Sequence, residues 1–221
     1  MGEDFEVTYA ELDKRSSQLA RKLIELEIGP GAFVAVSAGR SVDSVVAGWA
    51  VLKAGAAIGH EGATVGIATN GADRAQELEW IVLDDSATKS ELAGLSGRPV
   101  TQANRVRALT GADPVAAGMT YDELAGVVSR VDADYESRTF AVGARAAVIE
   151  LVVAGTSGAT VALAEAEDDL VDALANEWVT HLFAEPDIIA SVDPEDVPDV
   201  ETVVAIGGAA EFGDRTVVEV L

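Results

Sequence analysis

The sequence predicts an α/β fold with largely parallel sheets flanked by helices. Helical and extended signals alternate along the chain, the order that places helices over a parallel sheet. Short apolar runs such as Phe33-Val34-Ala35-Val36 and Thr202 to Ile206 lie between turn residues, as fully buried strands do. Helix starts carry capping residues and helix ends carry glycine.

The elements follow in order. Thr8-x-x-Glu11 forms a capping box, its hydroxyl accepting from an early helical N–H and its carboxylate reaching back. Leu12, Leu19, Leu23 and Leu26 recur at helical spacing until Gly29-Pro30-Gly31 stops the helix. Phe33 to Val36 is a buried strand. Ser41 caps a second helix, Val42 to Ala54, closed by Gly55. Thr64 to Ala68 and Trp80 to Leu83 are further strands, the second ending at Asp84-Asp85. From Thr88 to Ala112 the signal is weaker, with a short helix near Ser90 and a polar connection after it. Thr120-x-x-Glu123 opens another capped helix predicted to reach Tyr135. The second half predicts a helix from Ala144 to Ala154, a strand from Thr160 to Ala164 and a helix from Asp168 to Glu177. It continues with a strand from Thr180 to Ala184, a short helix from Pro186 to Ser191 and a strand from Thr202 to Ile206. No low-complexity linker marks a boundary, so residues 1–221 read as a single compact domain.

Composition narrows the function. A length of 221 residues supports one well-buried core or two small ones. With 49% hydrophobic and 5% aromatic residues, that core is built from Ala, Val, Leu and Ile. The net charge of −23 opposes nucleic acid and anionic membrane surfaces, and makes triphosphate binding harder without locally focused cations. The acidity itself reads as solubility or a high-salt source, with a basic partner surface as the alternative. There is no cysteine, so disulfides and thiolate chemistry are excluded. The N-terminus, Met1-Gly2-Glu3-Asp4, lacks a signal peptide's pattern, and no stretch is apolar enough to span a bilayer. A cytoplasmic protein is expected.

Val7-Thr8-Tyr9-Ala10-Glu11-Leu12 and Leu52-Lys53-Ala54-Gly55-Ala56-Ala57 resemble the first two core motifs of nonribosomal peptide synthetase adenylation domains. The likeness runs on in register. Trp80-Ile81-Val82-Leu83-Asp84-Asp85 is similar to a common family strand end. Val148-Ile149-Glu150-Leu151 through Ser157-Gly158-Ala159-Thr160 resembles the family's V-W-E-L…S-G-A-T stretch. Val179-Thr180-His181 and Val203 to Gly208 resemble the next two strands. The resemblance implies a shortened form of the N-terminal core of adenylate-forming enzymes.

The departures fall on function. The family continues after Ala57 with Y-x-P-x-D-P and a helix, whereas Ile58-Gly59-His60-Glu61-Gly62 runs almost directly into the strand at Thr64. After Asp113-Pro114 the resemblance implies a phosphate-binding loop of the type Y-T-S-G-S-T-G-x-P-K-G. Here Val115-Ala116-Ala117-Gly118 leads straight toward the Thr120 helix. The family's F-D-x-S motif, whose aspartate binds the substrate's amino group, falls on Ala144-Arg145-Ala146-Ala147. Its G-G-E segment falls on Gly207-Gly208-Ala209, and the chain stops before the family's Y-G-P-T-E and ribose-binding motifs and catalytic-lysine subdomain.

Other candidates weigh toward structure. Gly155-Thr156-Ser157-Gly158-Ala159-Thr160 superficially matches T-S-G-S-T, but apolar Val161-Ala162-Leu163 follows, and no lysine occurs after Lys89. A helix-to-strand turn is favoured there. His60, in a Gly-rich connection, is read as a solvated loop histidine rather than an acid–base group, and His181 as structural. Asp84-Asp85 and Asp168-Asp169 are cation candidates weighed against helix caps. Lys53 resembles a structural family position.

No residue is therefore assigned a catalytic, cofactor-binding or metal role, and no cofactor is expected. The resemblance implies a catalytically inactive spacer or docking platform in a peptide synthetase, beside condensation or carrier domains. A pseudoenzyme binding an MbtH-like protein is the alternative, and half of a split adenylating enzyme, with Arg145 selecting a carboxylate-bearing or non-amino substrate, is a third.

Overall fold

The computed structural model describes residues 7–116, 118–163 and 170–220. Where the sequence marks no boundary, contacts cluster into two compact units, residues 1–121 and 122–221.

The first unit carries a six-stranded sheet in the order β4-β3-β1-β2-β5-β6. Helix α1 (Tyr9–Glu25) starts at Thr8, whose Oγ1 accepts from the Glu11 N–H at 3.3 Å. Leu19, Ala20 and Leu23 of α1 are fully buried, each leucine contributing about 1.5–3 kcal/mol. The helix stops before Gly29: Ile28 N–H closes onto the Leu23 carbonyl, with Glu27 in the left-handed region at φ 61°. Strand β1 (Phe33–Ser37) follows, then α2 (Val42–Ala54), with a reciprocal Ser41–Ser44 capping box and left-handed Gly55 as its stop.

Strands β2 (Ala57–Ile58) and β3 (Val65–Ala68) pair in parallel with opposite edges of β1. A parallel crossover ordinarily needs a dozen or more residues. Residues 59–64 suffice here because β2 is so short that Ile58 and Val65 both meet β1 at Val34. Strand β4 (Glu79–Val82) adds to β3, and α3 (Ser86–Gly94) begins at Asp85, which caps the Ala87 and Thr88 N–H groups. Strands β5 (Pro114–Ala116) and β6 (Met119–Thr120) form an antiparallel hairpin at the far edge.

Helices α1 and α2 are bound by an unusual side chain. Lys53 Nζ lies 2.6 Å from Asp13 Oδ1, 2.8 Å from the Asp13 carbonyl, and 2.8 and 2.9 Å from Ser16 Oγ and Ser17 Oγ. Both serines are completely buried. Ser16 in turn donates to the Leu12 carbonyl at 2.6 Å, so its oxygen is an acceptor toward the ammonium. The structural role expected of Lys53 is thus met by a polar knot inside the helix–helix interface.

The second unit is a five-stranded, wholly parallel sheet in the order β11-β10-β9-β7-β8. Helix α4 (Tyr121–Val128) precedes it and is shorter than the helix predicted to reach Tyr135. The chain tightens after Val128 through Arg130 and Val131 N–H bonds to Val127 and Val128, and Asp134 then captures the Glu136 and Ser137 N–H groups in a turn. Strand β7 (Arg138–Ala141) leads into α5 (Ala144–Ser157), left-handed Gly158 and β8 (Thr160–Val161). Helix α6 (Leu170–Asn176), β9 (His181–Ala184), α7 (Pro186–Ala190), β10 (Thr202–Ile206) and β11 (Thr216–Val220) complete it. Strands β7 and β11 have no counterpart among the elements expected from the sequence. Leu174, Val179, Leu182, Ile189 and Val203 fill a core separate from that of the first unit.

Replacing Lys53 by methionine keeps the stem but strands Ser16, Ser17 and Asp13 without their donor. The variant is expected to lose about 1–3 kcal/mol of stability. Urea unfolding followed by the fluorescence of Trp49, which lies on α2, measures it.

Candidate functional site

In an open parallel sheet a ligand crevice forms at the carboxyl ends of the strands where the order of travel reverses. In the second unit the chain moves from β7 outward to β8, then returns to the other side of β7 as β9, so the reversal lies between β7 and β9. Their carboxyl ends are Val142-Gly143, with Gly143 at φ 99° opening α5, and Glu185-Pro186, opening α7. The Val142 N–H bonds the Phe183 carbonyl at 2.8 Å and keeps the two ends together. The residues presented by the first turn of α5 are exposed Ala144, half-buried Arg145, buried Ala146 and half-buried Ala147. This turn carries Arg145 and no carboxylate. On the neighbouring strand, Gly207 stands at φ 89° and its N–H bonds the Val220 carbonyl at 2.6 Å, which commits it to β11.

In the first unit the segment after Asp113 is a tight hairpin, with Pro114 opposite Thr120 and Ala116 opposite Met119. Its base is a closed polar cluster. Arg107 grips both oxygens of Asp113, at 3.1 Å from Nη1 to Oδ2 and closer still from Nη2 to Oδ1. The Thr110 N–H and hydroxyl donate to the same carboxylate at 2.8 and 2.9 Å. Asp113 is 7% exposed, and the Arg107 guanidinium with the Thr110 donors holds its carboxyl well below the usual range. Beside it, the Tyr121 hydroxyl lies 3.3 Å from both the Leu52 and Ala56 carbonyls at the end of α2. Burial pushes the Tyr121 phenol up to about 12. Sequence reasoning missed this cluster and the hairpin: Arg107, Thr110, Asp113 and Tyr121 follow no periodicity, and Val115 to Gly118 read as leading straight toward the Thr120 helix.

The remaining sequence candidates separate. Gly155 to Thr160 is the end of α5 and the start of β8, with Thr156 and Ser157 hydroxyls bonded back to the Val152 and Val153 carbonyls. It is the expected helix-to-strand turn. His181 is 3% exposed; its Nε2 donates to the Asp132 carbonyl at 2.8 Å, leaving Nδ1 to face the Thr180 hydroxyl at 2.8 Å. That histidine is structural. His60 is exposed in the turn after β2. Asp84 accepts the Asn70 N–H at 2.8 Å and Asp85 caps α3, so both serve backbone; Asp168-Asp169 lie outside the described residues. Among the described residues no cluster of three or more histidines and carboxylates is arranged to hold a metal ion. A groove of about 300 Å³ lies between α1, α2 and α3, lined by Arg15, Leu19, Val46 and Leu92. There Arg15 is engaged by Asp43 at 2.6 Å.

Comparison with known proteins agrees with this geometry. The profile of the AMP-binding enzyme family matches residues 1–60. Along 96% of its length the chain is 26% identical to a linear gramicidin synthase from Brevibacillus parabrevis, of which it spans 3%. Along 94% of its length it is 27% identical to novobiocin biosynthesis protein H of Streptomyces niveus, of which it spans 42%. The N-terminal subdomain of Klebsiella oxytoca NpsA has a similar fold, with a TM-score of 0.67 and 19% identity over 95% of this chain and 64% of that one. The chain is adenylation-domain-like, in sequence at its N-terminus and in fold over both units. It spans only a part of the relatives it matches. No helix among the described residues of this adenylation-like chain is long and apolar enough to cross a membrane.

Two pH dependences follow from the hairpin cluster. The folded Asp113 carboxyl is lowered, so its stabilisation is complete above the unfolded value of about 3.9 and is lost as pH falls below it. Asp113→Asn is expected to lower the urea midpoint at pH 7 and to lower it by clearly less at pH 2.5, the difference closing fully only as pH approaches the lowered value of the folded carboxyl. Tyr121 behaves oppositely: its raised value means that stability is intact below about pH 10 and drains away as pH rises toward 12. Tyr121→Phe is expected to flatten the fall in urea midpoint between pH 9 and 12.

Proposed function

We propose that this chain is a catalytically silent adenylation-like domain, serving as a structural spacer or docking platform within a nonribosomal peptide synthetase. The observation that carries the reading is the β5–β6 hairpin. Ala116 pairs with Met119 with two residues between them in the sequence, at the place where the family resemblance implies a long loop that wraps a triphosphate. Such a loop needs a run of backbone N–H groups and a lysine aimed at the phosphates. Two residues do not provide that run, and no lysine follows Lys89. Arg145, in place of an ammonium-binding carboxylate, supports the same conclusion.

A structural role suits the company such domains keep. One similar structure is an artificially fused adenylation–PCP di-domain from Klebsiella oxytoca, and the matched gramicidin synthase is far longer than this chain. On this reading the two units hold neighbouring condensation or carrier domains at a set spacing, in the cytoplasm.

Isothermal titration calorimetry with Mg·ATP, and separately with AMP, tests the proposal. On protein shown folded by circular dichroism, no saturable heat is expected for either ligand. A saturable isotherm would establish a nucleotide site that does not use the expected loop, and would end the reading of a silent domain.

A further inference from the structure

The amino-terminal edge of the second sheet, opposite the crevice between β7 and β9, presents two large aromatic side chains to solvent. Tyr135 is 75% exposed and Trp178 is 70% exposed. They occupy the turns that enter β7 and β9, which are adjacent parallel strands with Thr139 opposite His181. Both turns are fastened at this edge, since the Arg138 N–H bonds Thr180 Oγ1 at 2.9 Å and the Thr180 N–H bonds the Arg138 carbonyl at 2.9 Å.

Trp178 stands there at a double cost. It closes α6 in the left-handed region at φ 55°, with the Val179 N–H bonded to the Leu174 carbonyl, a position that favours glycine. A bulky residue at that angle is an outlier whose strain the fold must carry. Its indole also faces water rather than the core. Neither local geometry nor burial accounts for tryptophan at this position.

The electrostatic setting is one-sided. Arg138 is held by Glu177 at 3.2 Å. Asp134 and Glu136 flank Tyr135, and exposed Glu201, whose N–H bonds the Thr180 carbonyl at 2.9 Å, stands on the next strand entry. Two exposed aromatic rings among carboxylates match a guanidinium, which stacks on ring faces and bonds carboxylates in a fork. Tyrosine and tryptophan are also the residues that concentrate binding energy at protein interfaces.

We propose that this edge, carrying Tyr135 and Trp178 amid Asp134, Glu136 and Glu201, is a docking surface for an arginine-bearing segment of a partner protein. It lies within one unit, on the opposite edge of the sheet from the crevice, and does not depend on whether the chain is catalytically silent.

The test uses ¹H–¹⁵N spectra of the full chain titrated with a capped peptide of alternating arginine and glycine, and with its glutamate counterpart. The chain has three tryptophans, and the indole signal missing from Trp178→Gly identifies Trp178. That signal is expected to move saturably with the arginine peptide alone. Trp178→Gly and Tyr135→Ala should each weaken binding at least fivefold. Glycine suits the left-handed position, so Trp178→Gly should melt no lower than the parent, which separates lost binding from lost fold. Equal affinity in parent and variants would mean diffuse attraction to an acidic surface and would overturn the proposal. So would a concentration-dependent dimer, seen by sedimentation velocity and abolished in Trp178→Gly, because the occupant would then be a second copy of the chain.

Discussion

The Lys53 side chain is 16% exposed, and its ammonium sits between α1 and α2 among four oxygen acceptors of Asp13, Ser16 and Ser17. An ammonium has three protons, so at least one is shared, and the oxygens around it are held in one arrangement. The first unit is organised from this point. One turn away, the Lys53 carbonyl accepts from Arg105 Nε at 2.9 Å, which brings the polar connection after α3 against the end of α2. Left-handed Gly55 follows, where an added Cβ would lie 3.0 Å from the Pro30 ring and 3.3 Å from Arg105. Tyr121 reaches the Leu52 and Ala56 carbonyls at the same helix end. The last turn of α2 thus collects α1 through the Lys53 ammonium, and the connection at 105 and Tyr121 through carbonyls at the helix end.

The second unit does not repeat that solution. Its helices lie over a wholly parallel sheet with an apolar core, and its polar anchors are at strand entries: His181 to the Asp132 carbonyl, Arg138 to the Glu177 carbonyl at 2.6 Å, and Thr180 to β7. A buried histidine bonded through both ring nitrogens is satisfied and fixed, which is why a residue type associated with proton transfer reads here as architecture. The first unit is pinned at a helix end and the second at strand beginnings.

Local chemistry is legible in the sequence. Ser41, Asp85 and Gly55 act within a turn of their own position, so their capping roles can be read without knowing the fold, and Thr202 to Ile206 stands out as an unbroken apolar strand. What escapes depends on distant partners. Strands β2 and β6 are two residues long and exist because a neighbour accepts them. Strand β7 opens on Arg138 and includes buried Thr139, which interrupts the apolar run that marks a buried strand. The helix from Thr120 ends short of its predicted limit because Asp134 and Ser137 form a turn pair, although their polarity matches a solvated helix face. The Arg107–Asp113 pair is invisible for the same reason: nothing local distinguishes it from two solvated charges.

The use of cations connects fold and proposed function. The chain has 15 lysines and arginines against 38 carboxylates. Arg15, Lys22, Lys53, Arg107 and Arg138 each bond a carboxylate from another turn or element. Surface pairs of this kind contribute little singly, but each neutralises a carboxylate inside a strongly self-repelling molecule. A nucleotide site would have to draw on the same limited supply, and to concentrate several cations at one loop against the field of the whole chain. Where the family resemblance places its phosphate loop and its ammonium-binding motif, this chain carries an antiparallel hairpin in the first unit and Arg145 in the second. The specification of a fold of this class lies in helix caps, buried strands and interhelical contacts, whereas substrate chemistry lies in loops at the strand ends. Loops at strand ends can therefore change without costing the body its fold, which is the physical ground for the scaffold role proposed above.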